Sequence, residues 1–108
     1  MRWLKLNQQR YDLIYNTLIN APGGFDRKSI RTVHNLLTTL EGFGDKQEDS
    51  TYQLKKDMVW KVGEDEYKII DTCISNLKFY GRYATNAVEF LNWWEGPHNS
   101  EPTEPDNG

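Results

Sequence analysis

This chain has one cysteine, two histidines and no long apolar run, and each scarcity excludes a class of protein. The single cysteine, Cys73, cannot form an internal disulfide, which excludes a disulfide-stapled scaffold. No apolar stretch approaches the roughly 18–20 residues that a membrane span needs. The opening residues, MRWLKLNQQRYDL, mix polar with apolar positions, unlike a signal peptide. We therefore expect a cytoplasmic protein that makes no membrane contact.

Residues that carry catalytic or metal chemistry are equally sparse. The soft metal ligands are two histidines and the cysteine, and no two of them have metal-ligand spacing: His34, His98 and Cys73. The cysteine lies beside Ile70 and Ile74 on one predicted helix face, a position typical of a small core hydrophobe. Gly23-Gly24 follows a predicted helix and precedes no Lys-Ser/Thr, so it is not a phosphate loop. The sequence predicts no catalytic residue, metal, cofactor or enzymatic activity.

The charge of the chain is unevenly distributed. Thirteen basic and sixteen acidic side chains give a net charge of −3. Residues 1–94 hold all thirteen basic residues and twelve of the acidic ones, so the body of the chain is close to neutral. A balanced body offers no bulk attraction for nucleic acid or an anionic membrane. Residues 97–108 combine proline and acid with almost no apolar residues, which predicts a disordered acidic tail.

What the sequence does contain is an internal repeat. With an offset of 56, the first half matches the second at six positions: Leu4, Leu6, Tyr11, Ile14, Leu18 and Asn20 fall on Trp60, Val62, Tyr67, Ile70, Ile74 and Asn76. A two-residue deletion at 22–24 changes the offset to 54. Six more positions then match: Phe25, Val33, Leu37, Leu40, Glu41 and Gly42 fall on Phe79, Ala87, Leu91, Trp94, Glu95 and Gly96.

Each repeat has the pattern of one strand followed by two helices. Arg2–Leu6 and Met58–Val62 alternate apolar and basic residues, as a half-buried strand does. The apolar residues that follow have the spacing of a helix over 8–20 in the first repeat and 64–77 in the second. The same spacing predicts a second helix in each repeat. The domain prediction is a single domain over 1–96, made of repeat one at 2–42, a polar linker at 43–57 and repeat two at 58–96.

These patterns predict a mainly α, α+β fold. The two strands would pair as an antiparallel ribbon with four helices packed on it, because a two-stranded ribbon needs a covering layer. The alternative is an all-α four-helix bundle with extended lead-ins.

The last helix carries an aromatic face that its counterpart lacks. Four positions of the first repeat, Ser29, Thr32, Leu36 and Thr39, are matched in the second by larger or aromatic residues. These residues form the face: Tyr83, Asn86, Phe90 and Trp93. Aromatic side chains are favoured anchors of protein interfaces, so this face is the predicted protein-binding site. In the alternative interpretation, the last helix is central and buried on all sides.

The second helix of repeat one begins with a basic cluster, Arg27, Lys28 and Arg31. In a helix-turn-helix-like arrangement these side chains would meet phosphates while Thr32 and Asn35 face base edges. Their equivalents in repeat two retain only Arg82 and the nearby Lys78. This cluster is the alternative, nucleic-acid-binding site.

The chain is small, internally duplicated and rich in aromatic residues, and it has no catalytic signature. It is similar in these features to accessory proteins of bacteriophages and other mobile elements, many of which bind a host protein. The similarity implies a protein-interaction module whose partner is a host protein or a second copy of itself.

Overall fold

The computed structural model describes residues 2–21 and 23–96, and the predicted acidic tail lies outside the described residues. Within these residues, four α-helices and four strands follow one another, with a 3₁₀ turn before the last helix. In order they are β1 (Arg2–Leu6), α1 (Gln8–Ile19), α2 (Arg27–Gly42), β2 (Gly44–Lys46), β3 (Tyr52–Leu54), β4 (Met58–Val62), α3 (Glu64–Ser75), the turn Gly81–Tyr83 and α4 (Ala84–Glu95). The predicted α+β class is confirmed, and the all-α bundle is wrong.

Side-chain caps define where three of the helices begin. Asn7 Oδ1 accepts the N–H of Arg10 at 2.9 Å at the start of α1. Asp26 Oδ1 accepts the N–H of Ser29 at 2.7 Å at the start of α2, and this hydrogen bonding lowers the pKa of Asp26. The glycine before α3 has no side chain, so Glu66 Oε1 accepts the Gly63 N–H at 2.7 Å instead.

The predicted ribbon forms between β1 and β4. They are antiparallel, with Leu4 opposite Trp60 and Arg2 opposite Val62. The inner face of the ribbon is buried, as period-2 alternation requires: Leu4, Leu6, Trp60 and Val62. On the outer face, the Lys61 ammonium lies 4.9 Å from the centroid of the Trp3 ring.

Buried residues of all four helices and of the inner face of this ribbon belong to one hydrophobic core. Cys73 lies inside this core, as its position on α3 predicted, and burial raises the pKa of its thiol. The core also contains a stacked pair, Tyr67 and Trp94, whose ring centroids are 4.4 Å apart. Trp94 Nε1 donates to Asp71 Oδ1 at 2.8 Å, which satisfies the indole N–H.

The predicted linker contains structure that the sequence interpretation missed. Residues 44–54 form a second antiparallel hairpin, in which β2 pairs with β3. Ser50 in its turn adopts a left-handed conformation, with φ of 70°. The hairpin is anchored because Leu54 is buried and the Tyr52 ring lies 5.5 Å from the Tyr15 ring of α1.

One hydrogen bond recurs at the positions that the repeat alignment matches. Tyr11 Oη donates to the Leu40 carbonyl at 2.6 Å, and Tyr67 Oη donates to the Trp94 carbonyl at 2.8 Å. Each bond ties the first helix of a half to the end of its second helix. The halves also differ, since α2 has 16 residues and α4 has 12. The shared bond supports the internal duplication, which stays a prediction.

Candidate functional site

The four residues of the predicted protein-binding face do not lie on one accessible surface. Tyr83 is half exposed and Asn86 is exposed. Phe90 and Trp93 are instead buried, at 6% and 5% exposure. The expectation that those two side chains face a partner needs correction, since in the folded chain they belong to the core. The protein-binding role of Tyr83 and Asn86 stays a prediction.

Trp93 is buried because α4 packs against the beginning of α1. The guanidinium of Arg10 lies over the Trp93 ring at 4.5 Å from its centroid, in a cation–π contact. The same guanidinium donates to the Lys5 carbonyl at 2.9 Å, which fixes it over the ring. The Phe90 ring centroid lies 5.6 Å from the Trp93 ring centroid. The larger aromatic area of the second half therefore fills a space between α4 and α1.

The basic cluster of α2 is accessible. Arg27, Lys28 and Arg31 are all exposed, as is Asn35, and Thr32 is half-buried. No acidic residue occurs between Asp26 and Glu41, so that the exposed face of α2 is positively charged. The cluster is thus able to meet phosphates, although a nucleic-acid-binding role stays a prediction.

Metal and membrane sites find no support in the part of the chain that the structure describes. Over residues 2–21 and 23–96, no three His, Cys, Asp or Glu side chains come together in a group that could hold a metal ion. His34 is exposed on α2, and His98 lies outside the described residues. Within the same ranges, no helix has the length and apolar character needed to cross a membrane.

The largest exposed aromatic groups lie between α3 and α4. We call Lys78–Tyr83, with the sequence KFYGRY, the aromatic segment, and each of its residues is exposed. Tyr80 has 72% of its surface exposed, and the Arg82 guanidinium lies 5.4 Å and 5.1 Å from the centroids of the Tyr80 and Tyr83 rings. Asn86, three residues after Tyr83, is also exposed on α4, whereas the half-exposed Val88 lies on a different face of that helix.

The aromatic segment also has a distinct charge. It contains Lys78 and Arg82, and no acidic residue occurs between Asp71 and Glu89. Sequence reasoning found Tyr83 but missed the rest of the segment as a site. The missed signal is local: three aromatic and two basic residues within six positions, outside the helical apolar stripes.

A cleft of about 530 Å³ separates α1 from the β2–β3 hairpin, and we call it the tyrosine cleft. It runs along one stripe of α1 and is closed by the hairpin on the other side. The lining residues are Gln8, Tyr11, Asp12, Tyr15, Asn16 and Ile19 of α1 and Gln47, Ser50, Thr51, Tyr52 and Gln53 of the hairpin.

Hydrogen bonds preorganise the cleft. Tyr15 Oη donates to Glu41 Oε2 at 2.7 Å, and burial, reinforced by this bond, raises the pKa of Tyr15. Gln8 Nε2 donates to Asp12 Oδ1 at 2.7 Å. Burial raises the pKa of Asp12, although the Gln8 bond acts in the opposite direction. None of the lining residues is a lysine or arginine, so the cleft suits a neutral ligand better than an anion.

No protein-family model, curated protein or solved structure matches this chain.

Proposed function

We propose that this chain is a small, non-enzymatic protein-interaction module that docks through the aromatic segment and Asn86. The observation that carries the proposal is the exposure of Tyr80 and Tyr83, with the Arg82 guanidinium close to both rings. Tyrosine and arginine are enriched among the residues that dominate binding energy at protein interfaces. A folded chain keeps such groups exposed at a cost, because apolar surface in water is unfavourable.

The proposed partner is a host protein, and the setting is the cytoplasm. Both proposals come from the style of the sequence, which is similar to that of accessory proteins of phages and other mobile elements. A second copy of the chain is the other candidate partner.

The test compares two double variants in an affinity capture from the native host. Tyr80→Ala/Tyr83→Ala is expected to abolish partner capture, since truncating a central anchor commonly costs about 2–4 kcal/mol of binding. Ile30→Ala/Val59→Ala is the matched control, because these side chains are similarly exposed on α2 and β4, at 45% and 44%. Both variants are expected to melt like the wild type. Capture that survives loss of both tyrosines contradicts the proposal.

The second candidate function is nucleic-acid binding through Arg27, Lys28 and Arg31. It is favoured by the exposure of all three side chains on a helix face without acid. Binding that neutralises phosphates weakens steeply as the salt concentration rises, whereas aromatic docking changes little. The variant Arg27→Glu/Lys28→Glu therefore distinguishes the two functions. If it loses oligonucleotide binding but still captures the protein partner, nucleic-acid binding through this cluster is supported.

A further inference from the structure

We propose that the tyrosine cleft binds an extended peptide without acidic side chains, which adds a third strand to the edge of the β2–β3 hairpin. This site is separate from the aromatic segment and does not rest on the proposed function. The outer edge of β3 borders the cleft, since Tyr52 and Gln53 line it.

The hydrogen bonds of the hairpin fix which peptide groups of β3 face outward. Lys55 N–H donates to the Phe43 carbonyl at 3.2 Å, and Gln47 N–H donates to the Thr51 carbonyl at 2.7 Å. In an antiparallel ladder, alternate residues bond to the partner strand and those between them turn their peptide groups away. Tyr52 and Leu54 therefore present their N–H and C=O groups at the outer edge.

A side-chain amide already occupies this edge in the way a strand would. Gln8 Oε1 accepts the Leu54 N–H at 2.7 Å, and Gln8 Nε2 donates to the Tyr52 carbonyl at 3.4 Å. A residue of a neighbouring parallel strand makes the same pair of bonds, to the C=O of one residue and the N–H two further on. The outer edge of β3 thus already binds one amide group in the geometry of a neighbouring strand. Gln8 Nε2 also donates to Asp12 Oδ1, so Gln8 can keep this hydrogen bond when a peptide takes its place at the edge of β3.

The space beside the edge has the size and lining that such a peptide needs. A volume of about 530 Å³ lies within the range of ligand-binding pockets. In strand addition, main-chain bonds provide affinity and pockets for alternate side chains provide specificity. The Tyr15 and Tyr52 rings and the half-exposed Ile19 offer apolar contact for those side chains. The lack of basic lining residues disfavours an acidic peptide.

The test uses a phage-displayed library of random linear peptides, selected on the immobilised full-length chain. The strongest binder is then synthesised with a single N-methyl group at each position in turn. Strand addition predicts that methylation at alternate residues weakens binding at least ten-fold, while methylation at the residues between them has little effect. Failure to select any linear peptide, or an effect of methylation without this alternation, overturns the proposal.

Two further measurements locate the peptide. The Tyr52 amide is expected to exchange with deuterium at least ten-fold more slowly when the peptide is bound, and unchanged exchange contradicts pairing at this edge. Ile19→Arg, which fills the cleft, is expected to weaken peptide binding at least ten-fold. Ile30→Arg is the matched control, since Ile30 is similarly exposed but outside the cleft, and it is expected to bind normally. Equal binding by both variants overturns the assignment to the cleft.

The two proposals fail separately. Tyr80→Ala/Tyr83→Ala is expected to leave affinity for the selected peptide within two-fold of the wild type. A larger loss would show that the peptide binds the aromatic segment, which contradicts the cleft as its site.

Discussion

At the scale of single residues, buried tyrosine hydroxyls hold the helices of each half together. Tyr11 is fully buried, and its hydroxyl has the Leu40 carbonyl as its partner. Burial, together with the nearby Asp12, raises the pKa of Tyr11 to about 12. The phenolate of this side chain is therefore unfavourable in the folded chain, and the stability of the fold depends on keeping the proton in place.

We expect stability to fall at alkaline pH, and part of that fall to depend on Tyr11. In the unfolded chain a tyrosine ionises near pH 10, whereas Tyr11 in the fold keeps its proton to about pH 12. Above pH 10 the unfolded state therefore binds fewer protons, and the free energy of unfolding decreases as the pH rises. Each unit of pKa difference corresponds to about 1.4 kcal/mol, so the contribution of Tyr11 is about 2–3 kcal/mol by pH 12.

Urea denaturation of the wild type and Tyr11→Phe between pH 8 and pH 12 checks this expectation. The variant lacks the titrating group, whereas the lysines and the other tyrosines are common to both proteins and cancel. The stability difference between the two proteins is expected to be constant below pH 9 and to shift in favour of the variant above pH 10. Parallel pH profiles would show that ionisation of Tyr11 does not cause the loss of stability at alkaline pH.

At the scale of secondary-structure elements, the hairpin is fixed to α1 by close approach at Gly44. A Cβ atom at this position would lie 2.6 Å from Tyr11 Oη and 2.8 Å from the Gln53 carbonyl oxygen. Both neighbours are held in place, one by the bond to Leu40 and the other by the hairpin backbone. Glycine is therefore required here by space.

Gly44→Ala is expected to destabilise the chain by about 1–3 kcal/mol, the usual cost of overpacking. Gly42→Ala, at the end of α2, is the matched control because nothing lies within 4 Å of its added Cβ atom. Alanine has the higher helix propensity, so this control is expected to be neutral or stabilising by up to about 1 kcal/mol. Thermal or urea unfolding measures both, and equal stabilities would mean that the hairpin moves freely on α1.

The elements that the sequence predicted are those with a regular apolar period. Arg2–Leu6 and Met58–Val62 have the predicted boundaries, since alternation and a following helix cap mark both ends. The hairpin was missed because its strands have three residues each, too short for a period to show. The tyrosine cleft was missed with it, because its second wall is that hairpin.

The burial of Phe90 and Trp93 was beyond sequence reasoning for a different reason. Comparison of the two halves showed that the second carries more aromatic area, but not whether that area meets solvent or another helix. Trp93 is covered by Arg10, a residue more than eighty positions away in the chain. Only the packing of α4 on α1 decides between a core and an interface.

At the scale of the whole molecule, the β1–β4 ribbon is shared between the two halves. β1 belongs to the first half and β4 to the second, and each is the pairing partner of the other. Separating the halves therefore leaves both strands without a ladder and exposes the inner face of the ribbon, including Leu4 and Trp60. The α1–α3 contact and the Arg10–Trp93 contact are lost at the same time.

We therefore expect that the halves fold only together. The chain can be divided at Lys56–Asp57, both exposed, into fragments 1–56 and 57–108, which leaves the hairpin attached to α1. A fragment of this size buries too small a share of its surface for independent stability once the ribbon is broken. Each fragment alone should lack a cooperative thermal transition by circular dichroism. An equimolar mixture should recover the helical signal and a transition that rises with concentration. Cooperative melting of 1–56 alone would instead show that α1, α2 and the hairpin form an independent unit, with the ribbon added to a fold already made.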